Sequence, residues 1–169
     1  LHVQGANGSG KTTLLRALAG LSQPVHGDIR WRGAPIGGQR ETFAAALCYV
    51  GHPNALQGEL NALEILRFAA WLNGDTADAA SIEQALDQLA LMPCARLPAK
   101  VLSQGQKRRL ALARLRLADK PLWILDEPFT ALDAASCARI TALLDAHLAN
   151  NGMVLMASHQ ALAIDATRL

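Results

Sequence analysis

Residues 5–13 read GANGSGKTT, and how that stretch is read decides the fold. Gly5, Gly10, Lys11 and Thr12 fit the pattern G-x-x-x-x-G-K-[ST] at every fixed position. Glycine lets a backbone curl until successive N–H groups of Gly5, Ala6, Asn7, Gly8, Ser9 and Gly10 face inward, the geometry that cradles a polyphosphate. Lys11 is placed to reach the terminal phosphates, and the hydroxyl of Thr12, with Thr13 beside it, opens a helix whose positive dipole end favours anions. The short apolar run Leu1–Gln4 before the loop reads as a strand, and Lys11–Ala19 after it as a helix closed by Gly20. A glycine-rich turn arising by chance has no need of a strand on one side and a helix on the other.

Outward from the loop, apolar strands alternate with helical patterns. Asp28–Gly33 reads as a strand with a turn, and Ala46–Val50 as a second strand. Asn61 and Glu64 form a capping box before NALEILRFAAWLNG, and Ser81–Met92 repeats the helical period until Pro93 and Pro98 break it. PLWILDEP is a buried strand, Asp133 caps the helix AASCARITALLDAHLAN, and MVLMASH is a further strand. Strands buried along their length and alternating with helices predict an α/β fold with a parallel sheet. Residues 53–115 read as a helical insert between two portions of sheet, residues 1–52 and 116–169, in one domain.

Bulk composition narrows the class. The chain has 169 residues, 51% of them hydrophobic and 18% charged, which suits one packed domain and neither a disordered nor a fibrous chain. A net charge of +2 is too small to argue for nucleic acid or an anionic membrane surface. Cys48, Cys94 and Cys137 are widely spaced without a CxxC pair, which predicts three buried thiols. No apolar run approaches the roughly 18–20 residues of a membrane span, and no stretch of the given sequence reads as a signal peptide. The chain does not begin with Met and enters on a strand, as expected of a fragment with its front end missing.

Two acids complete the first site. LWIL buries a strand and delivers Asp126 to its carboxyl end, where α/β sheets place their ligands. Asp126 and Thr12 are the candidate Mg²⁺ ligands. Glu127 follows, points to the other side of the strand end, and is the candidate to polarise an attacking water. The alternative is an acid pair capping a turn before Pro128.

A second helix start, Leu102-Ser103-Gln104-Gly105-Gln106, has a sound local explanation: Ser103 and Gln106 form a capping box. Gly105 sits in the first turn, where a helix gains nothing from glycine, but where glycine permits close backbone approach.

Taken together, these residues give the chain a resemblance to the nucleotide-binding domain of ATP-binding cassette (ABC) proteins. The phosphate loop, the LSQGQ signature, Asp126–Glu127, TALD (Thr130–Asp133) and His159 occur in family order. The resemblance implies a P-loop NTPase with a RecA-like parallel sheet flanked by helices and a small α-helical subdomain. It implies ATP and Mg²⁺ as ligands, and a homodimer in which Leu102, Ser103, Gln104, Gly105 and Gln106 of one subunit cap the ATP of the other. Asp133 would cross that interface, and His159 would contact the γ-phosphate. His52, in YVGHPNAL, stands where most members carry glutamine. The residue that stacks on adenine would lie upstream of Leu1.

YVGH.NAL, LWILDEPFTALD and GANGSGKTTLLRALAGL together are similar to the ATP-binding subunits of the haem exporters of cytochrome c biogenesis. That narrower resemblance implies a peripheral protein on the cytoplasmic face of the bacterial inner membrane, docked near residues 52–68 on an integral membrane subunit. No haem-ligand set is visible, since His and Cys are scattered, and Trp31, Trp71 and Trp123 read as core or interface packing. Lys107-Arg108-Arg109 with Arg114 and Arg116 reads as a solvated helix face, not as a nucleic-acid surface. Other readings fit less well. A non-transport ABC ATPase would carry a long coiled coil, but only 92 positions (103 − 11) separate Lys11 from Ser103. A metabolite kinase would have no use for LSQGQ.

Overall fold

The structure, a computed structural model, describes residues 1–6, 8–74 and 77–159. Along the chain run β1 (His2–Val3), α1 (Lys11–Leu18), β2 (Arg30–Trp31), β3 (Ala34–Pro35), α2 (Arg40–Ala46), β4 (Leu47–Val50), α3 (Ala62–Leu72), α4 (Ala79–Gln88), α5 (Gln104–Ala113), β5 (Leu122–Asp126), α6 (Ala134–Ala149) and β6 (Met153–Ala157). Two compact units are distinguished: residues 1–52, 120–128 and from 148 onward, and residues 53–119 with 129–147.

The first unit is built on a sheet of order β1-β6-β5-β4, parallel throughout. β5 is paired on both edges, so its backbone is satisfied while Trp123, Ile124, Leu125 and Asp126 are all buried. Helix α1 packs on this sheet, with Leu15, Ala19, Ile124 and Ala157 at the centre of the cluster and Val3, Leu47, Tyr49 and Leu155 around it. Full burial of side chains such as Leu15 or Ile124 contributes about 1.5–3 kcal/mol each. α1 stops where the sequence says it should. Gly20 adopts φ 72°, and the N–H groups of Gly20 and Leu21 return to the carbonyls of Ala17 and Arg16. The turn expected within Asp28–Gly33 is an antiparallel hairpin, β2 with β3, in which Arg32 and Gly33 both take positive φ.

The second unit is helical. Its α3 begins with the expected box: Glu64 N–H donates to Asn61 Oδ1 at 3.0 Å, and Asn61 N–H to Glu64 Oε2 at 2.8 Å. α3 and α4 pack on each other and on the short 3₁₀ turn Arg114–Leu117. Leu66, Ile82, Leu86, Leu110, Leu112 and Leu115 are wholly buried in its core.

Three expectations are corrected. Helix α2 was not foreseen: the run TFAAALCYV holds a helix that ends at Ala46 and a strand that starts at Leu47, and a short apolar run does not distinguish the two. α4 starts at Ala79, not Ser81, because Asp78 accepts from Ser81 N–H and caps it. Of the three thiols only Cys94 is buried; Cys48 and Cys137 are half-buried.

Candidate nucleotide-binding site

The loop 5–13 folds as its glycines require. Gly8 and Gly10 adopt φ 80° and 89°, in the left-handed region that side chains disfavour. A Cβ on Gly5 would lie 2.7 Å from Ser9 Oγ. Asn7 lies outside the described residues. Lys11 is the first residue of α1 and is 9% exposed. Its ammonium donates to the carbonyls of Gly5 (2.7 Å) and Ala6 (3.0 Å) and lies 4.0 Å from Glu127 Oε1. Thr12 Oγ1 donates to Asp126 Oδ2 at 2.7 Å.

Asp126 is fully buried at the end of β5, in register with Ala157 of β6. The pleat alone would send the next residue to the opposite face. Instead Glu127 takes φ 51°, with its N–H bonded to the carbonyl of Ala157 at 2.8 Å. That reversal brings both carboxylates to the phosphate loop, Asp126 to Thr12 and Glu127 to Lys11. Glu127 Oε2 also meets His159 Nδ1 at 2.9 Å. A cavity of about 440 Å³ is lined by Gly8, Gly10, Lys11, Thr12, Thr13, His52 and Glu127. His52 therefore faces the same space as the lysine and the acid.

The site's chemistry suits an anion at its basic floor and a hard cation beside it. The hydroxyl of Thr12 and the carboxylate of Asp126 are both oxygen donors, already in contact. Among the described residues no group of three or more His, Cys, Asp or Glu could hold a metal by itself. One or two protein oxygens completed by substrate phosphates is how Mg²⁺ is usually held. These residues fit that cation.

The signature stretch lies in the second unit, at the start of α5. Leu102 is buried, while Ser103 and Gln104 are exposed. The capping box is formed, with Gln106 N–H to Ser103 Oγ at 3.2 Å and Ser103 N–H to Gln106 Oε1 at 2.8 Å. A Cβ on Gly105 would meet the carbonyl oxygen of Ala131 at 2.8 Å. Asp133 caps α6 by accepting from Ser136 N–H at 2.7 Å, and hydrogen bonding from Ser136 holds its carboxyl below the usual range.

The basic run is corrected. Arg108 is 3% exposed and donates to Asn54 Oδ1, Arg109 donates to the carbonyls of Leu89 and Ala90, and Lys107 to that of Lys100. Arg108 is thus an internal cation of the helical unit, whereas Lys107, Arg109 and Arg114 are half-buried and Arg116 is exposed, so the expected solvated face is corrected at Arg108. The sequence carried no signal for this, nor for the reversed backbone at Glu127.

Known proteins resemble this chain in sequence and in fold. The family model for the ABC transporter matches residues 1–130. The cytochrome c biogenesis ATP-binding export protein CcmA of Methylococcus capsulatus is 52% identical over 97% of this chain and 79% of its own length. The protein of the same name from Aromatoleum aromaticum is 50% identical over 95% of this chain and 75% of its own. An ABC transporter ATP-binding protein of Pyrococcus furiosus superposes with a TM-score of 0.85 at 26% identity, over 96% of this chain and 78% of that one. The cassette MJ0796, solved as a dimer in a post-hydrolysis state with ADP and Pi, shares the fold. Its TM-score is 0.83 at 23% identity, over 94% of this chain and 74% of that one.

Proposed function

This chain belongs to the ABC transporter family, and we propose that it is the ATP-binding and ATP-hydrolysing subunit of an export complex of cytochrome c biogenesis, the haem exporter. The observation that carries the ATPase is the convergence of Lys11, Thr12, His52 and Glu127 on one cavity, with Asp126 behind Thr12. The relatives at about half identity over nearly the whole chain support the cargo pathway.

In this reading the triphosphate lies over the N–H groups of the loop and the N-terminus of α1. Lys11 exchanges the carbonyls of Gly5 and Ala6 for phosphate oxygens. Thr12 and Asp126 would hold Mg²⁺, which would supply charge neutralisation at the phosphates. Glu127 accepts a hydrogen bond from the attacking water, and His159, whose Nδ1 lies 2.9 Å from that carboxylate, contacts the γ-phosphate. His52 lines the same cavity.

A second copy of the chain supplies the cap. Its Ser103 hydroxyl and Gly105 N–H grip the γ-phosphate, its Leu102, Gln104 and Gln106 shape that helix start, and its Asp133 crosses the interface. The membrane subunit docks near residues 52–68 from the inner leaflet, leaving this chain peripheral on the cytoplasmic face. Among the described residues no helix is long and apolar enough to cross a membrane. Haem is not ligated by this chain, and nucleic acid is not a partner.

The test is genetic. The native gene is replaced by its Glu127→Gln form, and c-type cytochromes are scored on a haem-stained gel with total haem as control. Loss of holocytochrome at normal total haem is expected. Unchanged cytochromes in cells that express the variant would remove this protein from cytochrome maturation and leave only the ATPase.

A further inference from the structure

Gly105 has no conformational reason to be glycine, since it lies inside the first turn of α5 and its φ is not among the positive ones. Alanine is the better helix residue there. What forbids a side chain is a neighbour. The carbonyl oxygen of Ala131 would stand 2.8 Å from a Cβ at position 105, a separation real Cβ atoms do not show, and the obstructing atom is backbone. Ala131 is itself unusual. It is a non-glycine residue at φ 63°, within a turn closed by Leu132 N–H to the carbonyl of Phe129. Alanine enters that region only at a cost, so the surrounding structure must hold it there. The same turn leads directly into Asp133, whose carboxylate is fixed on Ser136. Phe129 anchors its other end in the core at 1% exposure.

We propose that Gly105 is a positioning residue whose bare Cα seats the carbonyl of Ala131, and so sets the path of residues 129–133 and the placement of Asp133. The seat joins the helix start that grips a partner copy's nucleotide to the loop that crosses to that partner, within one and the same subunit. Displacement of α5 is therefore passed to Asp133 through a backbone contact, and each copy ties its grip on one nucleotide to its crossing residue at the interface. This assignment rests on the two-copy reading above.

The experiment compares Gly105→Ala, Ala131→Gly and the double variant in the whole protein, by thermal unfolding without nucleotide and by ATP turnover at saturating Mg-ATP. The seat requires Gly105→Ala to melt lower than the parent and to lose about tenfold or more in turnover, the scale of coupling between residues in direct contact. Ala131→Gly frees the turn to shift, so combined with Gly105→Ala it restores most of the loss. Should Gly105→Ala alone fail to fold, the double variant must fold. A Gly105→Ala protein that melts higher than the parent, or a double variant no better than the single one, overturns the seat and leaves Gly105 acting only toward the partner. Light scattering of the Glu127→Gln protein with ATP separates the two layers. If that protein stays monomeric the two-copy reading fails, while the melting comparison still decides whether Ala131 rests on Gly105.

Discussion

Thr12 Oγ1 and Asp126 Oδ2 are hydrogen-bonded at 2.7 Å although 114 positions separate them in the chain. The bond ties the first turn of α1 to the end of the central strand and holds together the two oxygens proposed to carry Mg²⁺. Thr12→Val keeps the side-chain volume and removes the donor. A buried carboxylate that loses a donor costs about 1–3 kcal/mol, so the nucleotide-free protein should melt lower. The parent should gain roughly 2.7 kcal/mol of stability at ligand a hundredfold above its dissociation constant, and Thr12→Val should gain much less. Thr12→Ser should behave as the parent. Melting curves with and without Mg-ATP check all three.

Glu127→Gln removes the charge that faces Lys11 and the attacking water but keeps the shape of the site. Turnover should fall on the order of 10²–10³-fold, the cost of losing one preorganised polar group. Nucleotide binding should persist, and the variant should accumulate as an ATP-bound dimer by light scattering. Fast turnover in this variant would remove Glu127 from the chemistry.

Ser103 has a local duty and a proposed remote one, and the two separate experimentally. Ser103→Ala breaks the cap on α5 and should cost about 1 kcal/mol, or roughly 2–4 °C in Tm. Ser103→Asn restores a good cap and should recover the Tm. If turnover stays low in Ser103→Asn while Tm recovers, the hydroxyl acts beyond the cap; recovery of both would reduce Ser103 to a helix start.

Asp133 should leave a mark on the acid side of the stability curve. Its folded pKa is lowered, chiefly by hydrogen bonding from Ser136, with Arg109 and Arg139 adding to it. Its contribution is thus fully present above the unfolded carboxylate value of about 3.9 and is lost as pH falls through the lower folded value. Asp133→Asn keeps a capping side chain without the charge, so its urea-melt stability should fall less steeply over that window.

Phe68 and Trp71 stack at 5.9 Å on the outer face of α3, yet they are 54% and 68% exposed. Beside the proposed docking segment, such a pair is a candidate anchor for the membrane subunit. Trp71→Ser should leave the turnover of the isolated protein unchanged and reduce its co-purification with that subunit at least about tenfold. Undiminished assembly would move the docking surface elsewhere.

The stretches whose hydrogen bonds close within a few residues were readable in advance. The loop 5–13, the end of α1 at Gly20, the boxes at Asn61–Glu64 and Ser103–Gln106, and the cap at Asp133 depend on local side chains meeting local backbone. The phosphate-loop motif and the family resemblance supplied the candidates for the cavity, His52 among them, and the burial of LWILD placed Asp126 at a strand end. What needed the folded molecule rests on partners far apart in sequence. The reversal at Glu127 depends on the carbonyl of Ala157, the burial of Arg108 on Asn54, and the bareness of Gly105 on a carbonyl 26 positions away (131 − 105). A sequence records which residue types are permitted at such places, but the physical reason is a contact that exists only once strand, turn and helix have been brought together.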